Sequence, residues 1–293
     1  MKPSHPRFLN LKGDLRIAYE EYGDPAGEPV FFCHGWPSSR TMAAITHDAG
    51  VGLGLRIISP DRPGIAMSQF QPGRTLLDWP PLLAGIAEAL GIGRYRVFGI
   101  SGGAPYTLAA AWGNPESVIA VAVASGAPPL AEHDTAAGLL VIYTWLLRLY
   151  RFNPVIIRIL FRILRPIVLL PVLKTLKPLL LAMQNPFDRA ALSRKEAFDI
   201  CYESSRAAWE KTAAGVIHDS ELYAHPWGFD LREIKVPVHL WHGTRDNSFS
   251  WKLIENLSKK IPGCTTSFVE NEGHYSLPIL HVRRILEELK RAG

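Results

Sequence analysis

Cysteine is scarce in this 293-residue chain, with three thiols at Cys33, Cys201 and Cys264. The odd number and wide spacing exclude a disulfide framework and a short-spaced zinc site, and they suit a reducing, cytoplasmic setting. The basic N-terminal stretch MKPSHPRFLNLKGDLRIAYE lacks an apolar run long enough for a secretory signal or an anchor, so neither is expected. Internal repeats and low-complexity linkers are missing too. Acid is absent from Thr135 to Phe187, although the segment holds seven Lys and Arg residues, more than the net charge of +5 of the whole chain.

What is present reads as alternating strands and helices. Phe8 to Tyr22 alternates in polarity around Lys12-Gly13-Asp14, which predicts an antiparallel edge hairpin. Short apolar runs at 29–33, 55–59 and 118–125 predict buried strands, 236–241 and 265–269 read as further strands, and helical spacing predicts helices at 41–49, 76–90, 251–261 and 277–291. Between about Gly126 and Leu231 strand signal disappears. The expected fold class is α/β, a mostly parallel, doubly covered sheet with an inserted helical cap. Residues 1–127 and 233–293 form the two parts of the core on this reading, and residues 128–232 form the cap.

The stretch Arg94 to Pro105, RYRVFGISGGAP, takes a β-rich run through Gly99-Ile100-Ser101-Gly102-Gly103 into an alanine-rich helical pattern. A serine held on so sharp a strand-to-helix turn leaves no room for neighbouring side chains, which accounts for Gly99 and Gly103. Ser101 is therefore a candidate nucleophile. A serine hydroxyl needs a histidine base, and the base needs a carboxylate to hold its tautomer. In a parallel sheet both belong on loops after strands. His274 follows the last strand and Asp246 follows the one before it, in the chain order Ser, Asp, His.

Four separated motifs together resemble the α/β-hydrolase fold superfamily, in its serine-nucleophile branch with a helical cap. They are His34-Gly35-Trp36-Pro37, Asp61-Arg62-Pro63-Gly64, the Ser101 elbow, and the loops bearing Asp246 and His274. The resemblance implies that the backbone N–H groups of Trp36 and Gly102 form an oxyanion hole, with His34 and Gly35 supporting that loop. Asp61-Arg62-Pro63-Gly64 reads as structural. Asp246 is followed by Asn247-Ser248-Phe249-Ser250 where relatives often have a proline, and some relatives carry the acid after the strand at 118–125. Glu132 and Asp134 are thus alternative acids. Serine at the elbow sets aside the epoxide hydrolases and haloalkane dehalogenases, which use aspartate there. His218, His225, His242 and His281 are expected in surface or packing roles.

The implied function is cleavage of a hydrophobic ester through an acyl-enzyme, in a carboxylesterase or lipase-like enzyme. Carbon–carbon bond hydrolysis and cofactor-free perhydrolysis are same-fold alternatives, and a small-molecule receptor with little turnover is an alternative of another class. No metal, cofactor or nucleic-acid partner is expected. In the insertion, Asn153-Pro154 predicts a helix start and Pro166 its stop. Arg158, Arg162 and Arg165 share one face of that helix. Such a face is either the solvated side of a packed helix or a peripheral membrane contact. The apolar remainder is expected to cover the core and line an access route to Ser101.

Overall fold

The computed structural model describes residues 6–132 and 138–293. Eight strands form one sheet in the order β1-β2-β4-β3-β5-β6-β7-β8. They are β1 (Arg7–Leu11), β2 (Leu15–Gly23), β3 (Glu28–Cys33), β4 (Leu55–Pro60), β5 (Tyr95–Ile100), β6 (Val118–Ala124), β7 (Val238–Gly243) and β8 (Thr265–Val269). The β1–β2 and β2–β4 pairings are antiparallel, and all other pairings are parallel. β5 sits near the middle of the sheet, and all six of its residues are buried. Its sequence is accordingly apolar except for Arg96, whose guanidinium is paired with Glu28 and donates to the Lys290 carbonyl.

Helices α1 (His47–Leu53), α2 (Trp79–Ala89), α3 (Ala104–Gly113), α10 (Trp251–Ser258) and α11 (Ser276–Arg291) cover the sheet. Successive strand side chains point to opposite faces. Accordingly Phe31 packs in one core with Leu83, Ile86 and Leu257, whereas Val30 and Phe32 pack in the other with Ile285 and Leu286. The helix expected at 41–49 is instead a 3-10 turn at Arg40–Thr46 followed by α1, four residues beyond the expected end. Gly54 takes the left-handed conformation that stops α1.

Among the described residues, six helices come between β6 and β7: α4 (Val141–Phe152), α5 (Pro154–Val168), α6 (Lys177–Ala182), α7 (Pro186–Ser193), α8 (Lys195–Ala207) and α9 (Ala214–Tyr223). Asn153 caps α5 through a side-chain bond from the Val155 N–H, as the sequence implies. The expected stop at Pro166 does not hold, because α5 runs on to Val168. Pro166 forfeits only the bond that its own N–H would make, and Leu169 N–H closes the last turn on the Arg165 carbonyl. A separate apolar cluster of Ile157, Phe161, Trp209, Val216 and Ile217 seats this cap on Ile65 and Ala66 of the core.

Candidate active site

Ser101 sits at the carboxyl end of β5, beside β3, where the strand order reverses and open α/β sheets form their crevices. Its φ of +53° is in the left-handed region, a strained position for a non-glycine residue. The flanking glycines are required by contact. A Cβ on Gly99 would strike Thr107 Oγ1, and one on Gly103 would strike the Cys33 carbonyl. Ser101 Oγ lies 2.9 Å from His274 Nε2, and His274 Nδ1 lies 2.8 Å from Asp246 Oδ2. The other carboxylate oxygen of Asp246 accepts the N–H groups of Ser248 at 2.7 Å and Phe249 at 3.1 Å. Those two donors hold the acid loop in the absence of a proline. His242 lies buried beneath it, with Nε2 2.8 Å from the Phe249 carbonyl oxygen.

Burial pushes the His274 pKa down, but the charge of Asp246 and its hydrogen bond outweigh burial and hold it above the ordinary imidazole value. Burial likewise opposes ionisation of Asp246, and the facing His274 brings its pKa below the usual carboxylate range. His34 is held neutral by full burial and by the nearby Arg62. Its Nδ1–H then donates to the Gly35 carbonyl at 3.0 Å. Arg62 donates to the carbonyls of His34 and Gly35 at 2.6 and 2.8 Å, fixing the loop that presents Trp36. A Cβ on Gly102 would lie 3.1 Å from Trp36 N and 2.9 Å from Trp36 Cβ. The two backbone segments therefore approach as closely as a glycine allows.

Of the sequence candidates, Ser101, Asp246, His274, Trp36 and Gly102 are brought together. Glu132 is not: it is exposed and pairs with Lys260 at 2.6 Å. Asp134 lies outside the described residues. Three cap residues escaped the sequence reading. Asp188 accepts the N–H groups of His274, Tyr275 and Ser276. Asp219 is buried between Arg62, Arg74 and the Tyr106 hydroxyl. Burial raises its pKa, but the two guanidinium groups prevail and bring it to about 2. Tyr223 donates from its hydroxyl to the Gly102 carbonyl at 2.8 Å. Asp188 did carry one signal, as the first acid after the acid-free segment.

Two cavities meet at Ser101. The smaller, about 60 Å³, is walled by Tyr143, Leu146, Leu147 and Tyr150 of α4 with Ile157, Tyr223 and Phe249. The larger, about 350 Å³, is lined by His274, Met42, Phe198, Tyr202, Leu180 and Leu181, among others. Neither wall presents a carboxylate among the described residues. The described residues also contain no cluster of three or more His, Cys, Asp or Glu side chains able to hold a metal ion.

The family model for the alpha/beta hydrolase family matches residues 30–288. The chain belongs to that family. This hydrolase is 32% identical over 120 residues to a proline iminopeptidase of Neisseria meningitidis serogroup A, a match covering 40% of the chain and 38% of that relative. A proline iminopeptidase of Xylella fastidiosa is 36% identical over 119 residues, 39% of the chain and 37% of its own length. The matched part thus spans well under half of these relatives. Among solved structures, an alpha/beta hydrolase fold protein from Nakamurella multipartita aligns with a TM-score of 0.72 at 21% identity, over 99% of the chain and 100% of its own. A thermophilic esterase from Thermogutta terrifontis aligns at 0.70 and 19% identity, over 98% of both chains. At such identities these two likenesses speak for the fold.

Proposed function

We propose that the protein is a serine hydrolase that cleaves a hydrophobic carboxylic ester through an acyl-enzyme. The observation that carries this is the continuous chain Ser101 Oγ, His274 Nε2, His274 Nδ1, Asp246 Oδ2, opening on a small apolar cavity and a larger one of mixed lining. On this reading Ser101 attacks the ester carbonyl while His274 takes its proton, and Asp246 steadies the imidazolium. The N–H groups of Trp36 and Gly102 receive the oxyanion. Collapse of the tetrahedral intermediate expels the alkoxide, which takes the proton from His274. Water, deprotonated by the same imidazole, then releases the acid and regenerates Ser101.

The proton step also orients the substrate. The leaving alcohol must lie beside His274, which borders only the larger of the two cavities, so the alcohol occupies that one. The acyl chain then fills the smaller cavity under α4, which favours short acyl groups. The iminopeptidase relatives suggest a peptidase reading. Against it, a free α-ammonium would have to leave water for a wall without a carboxylate, which is unfavourable for an unpaired charge. Three free thiols suit a reducing, cytoplasmic compartment.

The test is labelling of Ser101 by a fluorophosphonate probe together with p-nitrophenyl esters of graded acyl length. Labelling with turnover of the short esters is expected, and both should vanish in Ser101→Ala. Absence of both labelling and turnover refutes the proposal. Labelling without ester turnover would move the assignment to carbon–carbon hydrolysis or perhydrolysis, or to a receptor. Prolyl-amide turnover exceeding ester turnover would move it to a peptidase.

A further inference from the structure

The core helices turn their apolar faces to the sheet, but among the described residues nothing packs against the outer side of the cap. Sixteen of the twenty exposed large hydrophobic side chains among the described residues lie between Leu140 and Met183. On α4, Val141, Trp145 and Phe152 fall at i, i+4 and i+11, and Phe152 is 81% exposed. Helix α5 divides into three sectors rather than two. Ile157 and Phe161 are buried in the cap cluster, Arg158, Arg162 and Arg165 follow one flank, and Ile156, Ile159, Ile163 and Ile167 follow the other, exposed. Val172, Leu179 and Met183 continue the same exposure through the segment after α5. Contiguous apolar exposure of this kind on a globular domain marks a contact surface.

Charge selects what makes the contact. The stretch from Thr135 to Phe187 has seven cations and no acid. Arg158 is paired with Glu221, and Lys174 with Asp199 and Glu203. Arg165 spends its donors on the carbonyls of Trp209 and Glu210. Arg162 has no hydrogen-bond or ion-pair partner among the described residues, and Arg148 has only the Trp145 ring, 5.9 Å away. A two-fold contact of this face with a second copy would bring like charges together. An anionic bilayer meets the same charges with attraction and accepts the Ile, Leu, Phe and Trp side chains between its headgroups.

We propose that the outer face of the cap, formed by α4, α5 and residues 170–183, docks on an anionic lipid surface. No helix among the described residues is long and apolar enough to cross a membrane, so the contact is peripheral. The same elements turn their other sides to the site. Tyr143 and Leu147 of α4 and Ile157 of α5 wall the smaller cavity, and Leu180 and Leu181 of α6 wall the larger. A bilayer-dissolved ester would thus lie one helix thickness from Ser101. The lipid contact stands independently of which bond is cleaved.

Flotation of the full Ser101→Ala chain with phosphatidylcholine vesicles, with and without phosphatidylglycerol, tests the proposal. Co-flotation with the phosphatidylglycerol vesicles at low salt, weakened in high salt, is expected. Combining Phe152→Ser, Ile163→Ser and Met183→Ser should lower the partition coefficient at least about tenfold. Arg148→Gln and Arg162→Gln should each lower it about fivefold on the anionic vesicles and leave phosphatidylcholine binding unchanged. No partition into anionic vesicles, or equal partition into both kinds, overturns the proposal. So does a reversible dimer, seen by sedimentation velocity, that the three serine changes abolish. The same serine changes in the Ser101 protein should leave hydrolysis of a short, soluble p-nitrophenyl ester unchanged, which shows the cap intact. Because vesicle binding is read without turnover, its failure and failure of the esterase reading are separate results.

Discussion

Replacing Asp188 with asparagine tests whether the cap helps to hold His274. The Asp188 side chain is buried and collects four donors. Oδ1 accepts the N–H groups of Tyr275 and Ser276, both at 2.8 Å. Oδ2 accepts the His274 N–H at 3.1 Å and Asn185 Nδ2 at 2.7 Å. Asparagine keeps one acceptor oxygen and turns an NH₂ towards the other two donors. The Asn185 amide cannot flip to compensate, because its oxygen already caps α7 through the N–H groups of Phe187 and Asp188. Two hydrogen bonds to a charged acceptor are lost, at about 1.5–3 kcal/mol each, for a total of about 3–6 kcal/mol. Scaled by roughly 2–4 °C per kcal/mol, the melting temperature should fall roughly 6–24 °C. Released from the carboxylate, the backbone of His274 shifts relative to Ser101, and a displacement approaching 1 Å costs about 100-fold in rate. Differential scanning calorimetry reads the first effect and steady-state ester hydrolysis the second, with kcat falling and KM little changed. A variant with wild-type melting temperature and kcat would refute the reasoning.

Other residues give further checks. With its pKa held above the ordinary imidazole value by Asp246, His274 becomes protonated, and useless as a base, as pH falls, so the acidic limb of kcat/KM should lie at higher pH than an unperturbed imidazole would give. Asp246→Asn removes the charge that raises it, leaving the lowering effect of burial, so the limb should move to lower pH while kcat drops about 10⁴-fold. Gly102→Ala places a methyl group against Trp36 and the Tyr223 hydroxyl, and turnover should fall about 10²–10³-fold, as for loss of an oxyanion donor. Asp219→Asn leaves Arg62 and Arg74 buried without a counter-charge, and urea denaturation should show a loss of about 3–5 kcal/mol. Leu146→Ala, at the wall of the smaller cavity, should shift the preferred acyl chain to longer homologues in the p-nitrophenyl series.

The sheet was readable because burial leaves a direct mark on composition. VIAVAVA, almost wholly buried, forms β6, whereas TTSFV of β8 at the sheet edge has no fully buried residue and was read from its β-branched and aromatic residues. Ser101, Asp246 and His274 were readable because a parallel sheet places the ends of consecutive strands side by side. The cap followed other rules. Pro166 failed as a stop because the residues after it kept helical geometry, Leu169 N–H reaching the Arg165 carbonyl past the bond that the proline cannot make. The outward isoleucines of α5 were assigned to the core because exposed and buried isoleucines look identical in sequence. Asp188, Asp219 and Tyr223 were missed for want of a local pattern, since their partners lie 86, 157 and 121 residues away. Glu132, close to β6 in sequence, was a plausible acid until its side chain proved to point to Lys260.

Asp188, Asp219 and Tyr223 also determine how a ligand can reach the nucleophile. Each is a cap side chain bonded to a backbone or guanidinium group that builds the reaction centre, so lifting the cap as a rigid body would pull on the His274 loop and the elbow together. A hinge that lifted α7 and α9 would therefore take the centre apart, whereas α4, α5 and α6 carry none of these three residues. Passage therefore falls to the cavity-lining side chains and to α4 and α6, neither of which has a buried residue. Amide-exchange protection of α7 and α9 should accordingly be lost together with that of the sheet, and α4 and α6, which bury no residue, should exchange earlier.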